Sequence, residues 1–244
     1  MMASFISNRF HNQLLRCVPP DELDHFDDDL EVVQLCAGDV LVIPGANFEH
    51  VHFIEQGMAV VTMATTGGRF LEVSQIGSEG IVGVSAILGS DETPLRTVVQ
   101  ISGVAHRLPL DRLAKAMDEC PSLRSTMLRY AHVCMLQIAD TATSLGRFTI
   151  TQRLARWILM AHDRSEEDTL FITHERLAAL LDVRRSGVTD AVALLEGDGM
   201  IRGCRSHIYV RDRQKLRAKA GISYGRTEDF YRRILDQPQA VAGD

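Results

Sequence analysis

The sequence predicts an α+β protein: an N-terminal antiparallel β-roll of jelly-roll type, a long dimerisation helix and a C-terminal winged helix-turn-helix. Three observations carry this. Ten of the 18 glycines lie between Gly38 and Gly103 and separate short runs rich in Val and Ile, the texture of an antiparallel roll or barrel. From Ser122 to Leu145 there is no Pro or Gly, and apolar residues recur every three or four positions, as on a helix. Residues 172–196 then set a small residue, a turn residue and a β-branched residue at helix-turn-helix spacing.

Composition bounds the reading. The chain has 244 residues, 45% hydrophobic and 24% charged, which fits two globular domains. No apolar run is long enough to span a bilayer, and the start, MMASFISNRFHNQ, lacks the apolar core of a signal peptide, so no membrane partner and a cytoplasmic location are expected. The five cysteines are scattered without a C-x-x-C pair, which predicts no disulfide framework, no metal site and no iron–sulfur cluster. The net charge of −6 is uneven: residues 1–146 carry 9 basic against 18 acidic side chains, whereas residues 171–233 carry 13 against 8. A basic end on an acidic chain suits contact with a polyanion.

In order along the chain, residues 21–31 read as a short acidic helix or turn. The runs 39–44, 50–55, 58–63, 70–76, 97–101 and 104–110 read as separate strands, with Gly67-Gly68 as a hairpin turn. Residues 1–110 form the β-domain on this reading. Residues 111–146 form the linking helix, whose stripe of Leu123, Met127, Tyr130, Cys134, Ile138, Thr141 and Leu145 is assigned to a second copy of the chain. Gly146 interrupts, and Thr149 to Gln152 form a capping box for the next helix. Residues 147–215 form the winged helix-turn-helix, and 216–244 a partly helical basic tail.

The segment ITHERLAALLDVRRSGVTDAVALLE carries the chemistry. Thr173 caps a helix with Leu177, Leu180 and Leu181 inside and small Ala178 where a second helix passes. Asp182 marks the turn, where Gly is usual, and Val188, Ala191, Val192 and Leu195 form the inner face of the second helix. Its outer face offers Arg184, Arg185, Ser186, Thr189 and Asp190. Two arginines at a helix N-terminus oppose the helix dipole, a cost of a few tenths of a kcal/mol that an anion removes. Arg185 is placed to grip a guanine edge and Arg184 a phosphate. Thr173 and His174 join this DNA-binding set. Beyond Gly199, a two-stranded wing carries Arg202, Arg205 and His207 beside the phosphates.

These residues resemble the Crp/Fnr family of bacterial transcription regulators, most clearly over FITHERLAALLDVRRSGVTDAVALLEGDGMI and the preceding RLARWIL. Gly38-Asp39 and Glu55-Gln56-Gly57 resemble the family's cyclic-nucleotide-binding-type roll. The resemblance covers about residues 20–215 and implies a homodimer that binds a palindromic operator in double-stranded DNA, with RNA polymerase as a further partner. It places base reading on Arg185, Ser186 and Asp190. It also implies an effector pocket at Gly83, Val84, Ser85, Arg96 and Thr97. Cyclic-nucleotide binders carry a ribose-holding Glu where Val84 stands, and a Val accepts no hydroxyl, so cyclic AMP is disfavoured and no cofactor is assigned.

Two other classes compete. One is a cyclic-nucleotide-responsive protein whose C-terminal domain meets protein instead of DNA. The other is an enzyme, for which the sequence offers no nucleophile–base or phosphate-loop motif.

Overall fold

A computed structural model describes residues 9–204 and 206–235 of the chain. These form two compact units that do not follow chain order. One comprises residues up to 59, 76–135 and from 229 onward; the other comprises 60–75 and 136–228.

The chain opens with two single turns, α1 (Gln13–Arg16) and α2 (Pro20–Leu23). Asn12 caps α1 through its side chain, and Leu14, Leu15, Leu23 and Phe26 are buried. A six-stranded antiparallel sheet follows. It is built from β1 (Glu31–Leu35), β2 (Val40–Val42), β3 (His50–Ala64), β4 (Phe70–Ile76), β5 (Ile81–Val82) and, after the short helix α3 (Val84–Ile87), β6 (Arg96–Pro109). The strand order is β1-β6-β3-β4, with β2 on β6 and β5 on β3. Glu31 lies opposite Arg107 and pairs with it at 2.7 Å.

Two pairs of expected strands are in fact single long ones. Residues 50–55 and 58–63 join through Gly57, and 97–101 and 104–110 join through Gly103. A Cβ on Gly57 would lie 2.5 Å from the Ile101 carbonyl oxygen, and one on Gly103 2.0 Å from that of Gln56. Both glycines therefore serve close backbone approach between β3 and β6 rather than turns. Gly67 and Gly68 do turn the β3–β4 hairpin, at φ 76° and 72°.

Next come α4 (Leu110–Glu119) and α5 (Pro121–Arg147). The helix α5 continues through Gly146, where a break was expected. Leu123, Met127 and Tyr130 of its stripe are buried within the chain itself. Tyr130 packs so tightly on Gly80 that a Cβ there would stand 2.0 Å from its hydroxyl. Cys134 and Thr141 are half-buried, and Ile138 and Leu145 are exposed beside Leu128 and Met135.

The second unit centres on α6 (Ile150–His162), whose N-terminus carries the expected capping box of Thr149 and Gln152. Leu154, Trp157, Ile158 and Ala161 are buried. After α6 come β7 (Thr169–Phe171), α7 (His174–Leu180), α8 (Arg185–Gly197), β8 (Ile201–Gly203) and β9 (His207–Val210). The wing is three-stranded, in the order β7-β9-β8, rather than two-stranded. The chain between the polar run 163–168 and Thr173 is short, and it pairs with β9. The last helices are α9 (Arg213–Ala220) and α10 (Arg226–Leu235). Arg213 ties α9 to the end of α6, bonding His162 Nδ1 at 2.9 Å and the Tyr224 hydroxyl at 2.7 Å.

Candidate nucleic-acid interface

The helix-turn-helix follows from local chemistry. The Thr173 hydroxyl accepts the Arg176 amide at 3.2 Å and starts α7. Leu177, Ala178 and Leu180 bury its inner face. Asp182 then takes φ 48°, and no other described non-glycine residue has positive φ. An L-residue there carries strain that Gly would not. The helix α8 departs at once and buries Val188, Ala191, Val192 and Leu195, all with at most 4% exposure.

That burial leaves Arg184, Arg185, Ser186, Thr189 and Asp190 exposed on the first turns of α8. Arg184 sits at the N-cap without a side-chain cap bond, so the first amides of α8 receive no anchoring from it. They are open to an anion, which the helix dipole favours. Arg185 lies 3.8 Å from Glu175, and both side chains are well exposed, so this pair contributes little and gives way to a better anion. Thr173, His174, Arg185 and Thr189 line one groove of about 850 Å³ together with Glu196 of α8 and with Gly203 and Cys204 of the wing. His174 Nδ1 contacts the Thr189 hydroxyl at 3.2 Å, while its Nε2 is buried without a hydrogen bond.

Arg202 is exposed on β8 opposite Tyr209, on the strand rather than at the turn. Arg205 lies outside the described residues. The residues assigned to an effector begin two separate elements. Gly83 caps α3 at φ 101° with Val84 and Ser85 in its first turn, and Arg96 and Thr97 open β6, Thr97 buried opposite Val42.

Three residues that brace the second unit were not singled out as site residues from the sequence. Arg153 of α6 donates to the Leu181 carbonyl and so braces the corner from beneath. Arg69, at the end of the β3–β4 turn, pairs with Asp182 at 2.9 Å. Glu72 of β4 is buried and accepts the Trp157 indole N–H at 2.8 Å and the Gln75 amide at 2.8 Å. Burial raises the Glu72 pKa to about 7, against the two hydrogen bonds and the nearby guanidinium of Arg156. The only signals available were an acidic residue in an apolar run and a basic residue beside two glycines.

Residues 152–219 match a Crp-like helix-turn-helix domain. A comparison of the sequence with curated proteins gives no match. Among solved structures, FixK2 from Bradyrhizobium japonicum superposes with a TM-score of 0.67 at 16% identity, over 79% of this chain and 98% of that one. A putative Crp/Fnr family regulator from Eubacterium rectale gives 0.66 at 14%, over 83% and 95%. A Crp/Fnr family regulator from Thermus thermophilus gives 0.59 at 22%, over 78% and 98%. At these identities the structures speak for the fold, and the domain match speaks for the interface. The chain is a DNA-binding transcription factor, with a Crp-like helix-turn-helix domain on the fold of the Crp/Fnr regulators.

Proposed function

We propose that the protein regulates transcription as a homodimer that sets two copies of α8 into successive major grooves of a palindromic operator, about 34 Å apart. The observation that carries this is the two-sided α8: an inner face fully buried and an outer first turn of Arg184, Arg185, Ser186, Thr189 and Asp190 left to solvent. Arg185 reads a base edge and Arg184 holds phosphate, while Thr173 and His174 line the same groove and Arg202 is exposed on β8. Arg205 belongs to this set by sequence.

The homodimer is supported by α5. Leu128, Met135, Ile138 and Leu145 are exposed at intervals of seven, three and seven, with Ala142 also exposed between the last two. That is an a/d seam of a two-stranded coiled coil. Leu123, Met127 and Tyr130 face the interior of the chain, so the partner meets the outer seam instead. RNA polymerase is the further partner of such a regulator, and the cytoplasm its place of work. Among the described residues no helix is long and apolar enough to cross a membrane. An effector at Gly83–Ser85 and Arg96–Thr97 would be a small molecule other than cyclic AMP, because Val84 offers no acceptor for a ribose hydroxyl.

Selection of binding sites from a random duplex pool tests this reading, with sedimentation to count copies. Recovery of a palindrome with half-sites one helical turn apart is expected. The affinity should fall linearly on a log–log plot against salt as phosphate contacts release counterions. A flat salt response with no enriched site would favour a protein partner for the C-terminal domain.

A further inference from the structure

The end of the β3–β4 hairpin, residues 60–75, belongs to the same compact unit as the helix-turn-helix. Three contacts fix it there. Arg69 pairs with Asp182 at the strained corner between α7 and α8. Glu72 accepts from Trp157 on α6. Gln137 Oε1 of α5 accepts the Gln75 backbone N–H at 2.8 Å and is bonded by the Ser74 hydroxyl. Leu71 and Glu72 line a narrow cleft with Arg153, Arg156, Trp157, Leu180 and Leu181.

We propose that this hairpin is a proton-operated clamp on the helix-turn-helix: a neutral Glu72 carboxyl locks it to α6 and lets Arg69 hold the Asp182 corner, and ionisation of Glu72 loosens both. Its consequence for DNA affinity rests on the function proposed above; the clamp itself does not.

Two independent features point to the proton. Glu72 is buried, so its ionised form loses hydration that its two neutral donors do not replace. Gln75 Oε1, beside it, is buried with no hydrogen bond, so the cluster holds more acceptor than donor capacity, and one proton redresses the balance. The charged groups around Glu72 are already engaged. Arg156 of α6 donates to the Ser223 carbonyl at 2.9 Å and also feels Glu228 of α10 and Asp140 of α5. Asp140 is itself paired with Arg226 at 2.8 Å. Arg164, just past α6, bonds the Met160 carbonyl.

The sign follows from linkage. The docked carboxyl holds its proton up to about pH 7, whereas an undocked one releases it near 4.5. Docking is therefore strongest below the lower value and weakens as pH rises through the upper one, by about tenfold between pH 6 and 8.

Trp157 is the single tryptophan of the chain, so its emission reports the Glu72 contact directly and without DNA. In the full-length protein, emission should titrate with a midpoint near pH 7, and Glu72→Gln, which mimics the neutral acid, should be flat from pH 5.5 to 8.5. The ratio of hydrogen-exchange rates at residues 66–75 and 178–184, wild type over Glu72→Gln, should rise about tenfold from pH 6 to pH 8, with the wild type the faster at pH 8. Arg69→Ala should speed exchange at 178–184 at both pH values. A wild-type emission without a transition, the same transition in Glu72→Gln, or equal exchange at pH 8 would overturn the clamp, whatever the DNA experiments give.

Discussion

Gly203 on the wing lies so close to Val192 on the recognition helix that a Cβ at position 203 would stand 2.7 Å from Val192 Cγ1. The wing is thus seated on α8 by the absence of a side chain. The Gly203 amide adds a bond to Glu196 at 3.3 Å. Gly203→Ala should wedge the two apart at a cost of roughly 1–3 kcal/mol, seen as a lowered Tm and weaker operator binding. Adding Val192→Ala should restore part of both; a double variant no better than the single would disprove the wedge.

The two adjacent arginines of α8 should separate by behaviour. Arg185→Ala is expected to cost roughly 1–3 kcal/mol on the preferred site and to relax one base position, and Arg184→Ala to weaken specific and random duplexes alike while reducing the salt slope by about one. Titration of both variants against the two duplexes at several salt concentrations decides between them. Equal losses on both duplexes for Arg185→Ala would remove it from base reading.

Glu175 holds Arg185 loosely at 3.8 Å and places a negative charge in the groove. Removing that charge should raise affinity for random DNA several-fold and narrow the gap between specific and random sites, since charge of the wrong sign near phosphate suppresses unspecific contact. Glu175→Gln in a filter-binding assay on both duplexes is the check, and unchanged random binding would speak against it.

The seam on α5 and its buried side should respond differently. Met135→Glu and Ile138→Glu place charge on exposed positions and should leave a folded monomer. Leu123→Ala empties a fully buried position and should cost about 2–5 kcal/mol of stability with dimerisation retained. Sedimentation alongside thermal melting separates the two, and a Met135→Glu protein that stays dimeric at low micromolar concentration would move the interface elsewhere.

The β-roll should be acid-sensitive. Burial, with help from His50 and Arg107, lowers the His52 pKa to about 4, and its Nδ1 has no hydrogen bond. The folded state resists a proton that the unfolded chain accepts near 6.5. The stability His52 secures is therefore whole above that value and is lost as pH falls from 6.5 to 4, as much as about 3 kcal/mol. Denaturant melts of wild type and His52→Gln across this window should converge as pH drops; parallel curves would show that His52 is not the sensor.

The sequence revealed what is local. The helix-turn-helix was legible because Ala178, Asp182 and Val188 lie within eleven residues, and the capping box because Thr149 and Gln152 are three apart. What depends on distant partners was not. Gly57 and Gly103 looked like turns because a turn and a close approach both demand a missing side chain, and only the pairing of β3 with β6 tells them apart. The stripe on α5 was ambiguous because Leu123, Met127 and Tyr130 share its spacing with residues that face outward. The contacts of Arg69 and Glu72 join segments about a hundred residues apart, and no periodicity announces such a meeting.

The last helix bears on how the protein is handled at the bench. At its start Thr227 donates to Asp140 at 2.6 Å; toward its end Tyr231 is buried with its ring edge-on to Tyr130, and Arg129 bonds the Ile234 carbonyl. Trimming the coding region back to the wing would strip α5 of all three contacts, so shortened versions need a melting curve before any binding assay.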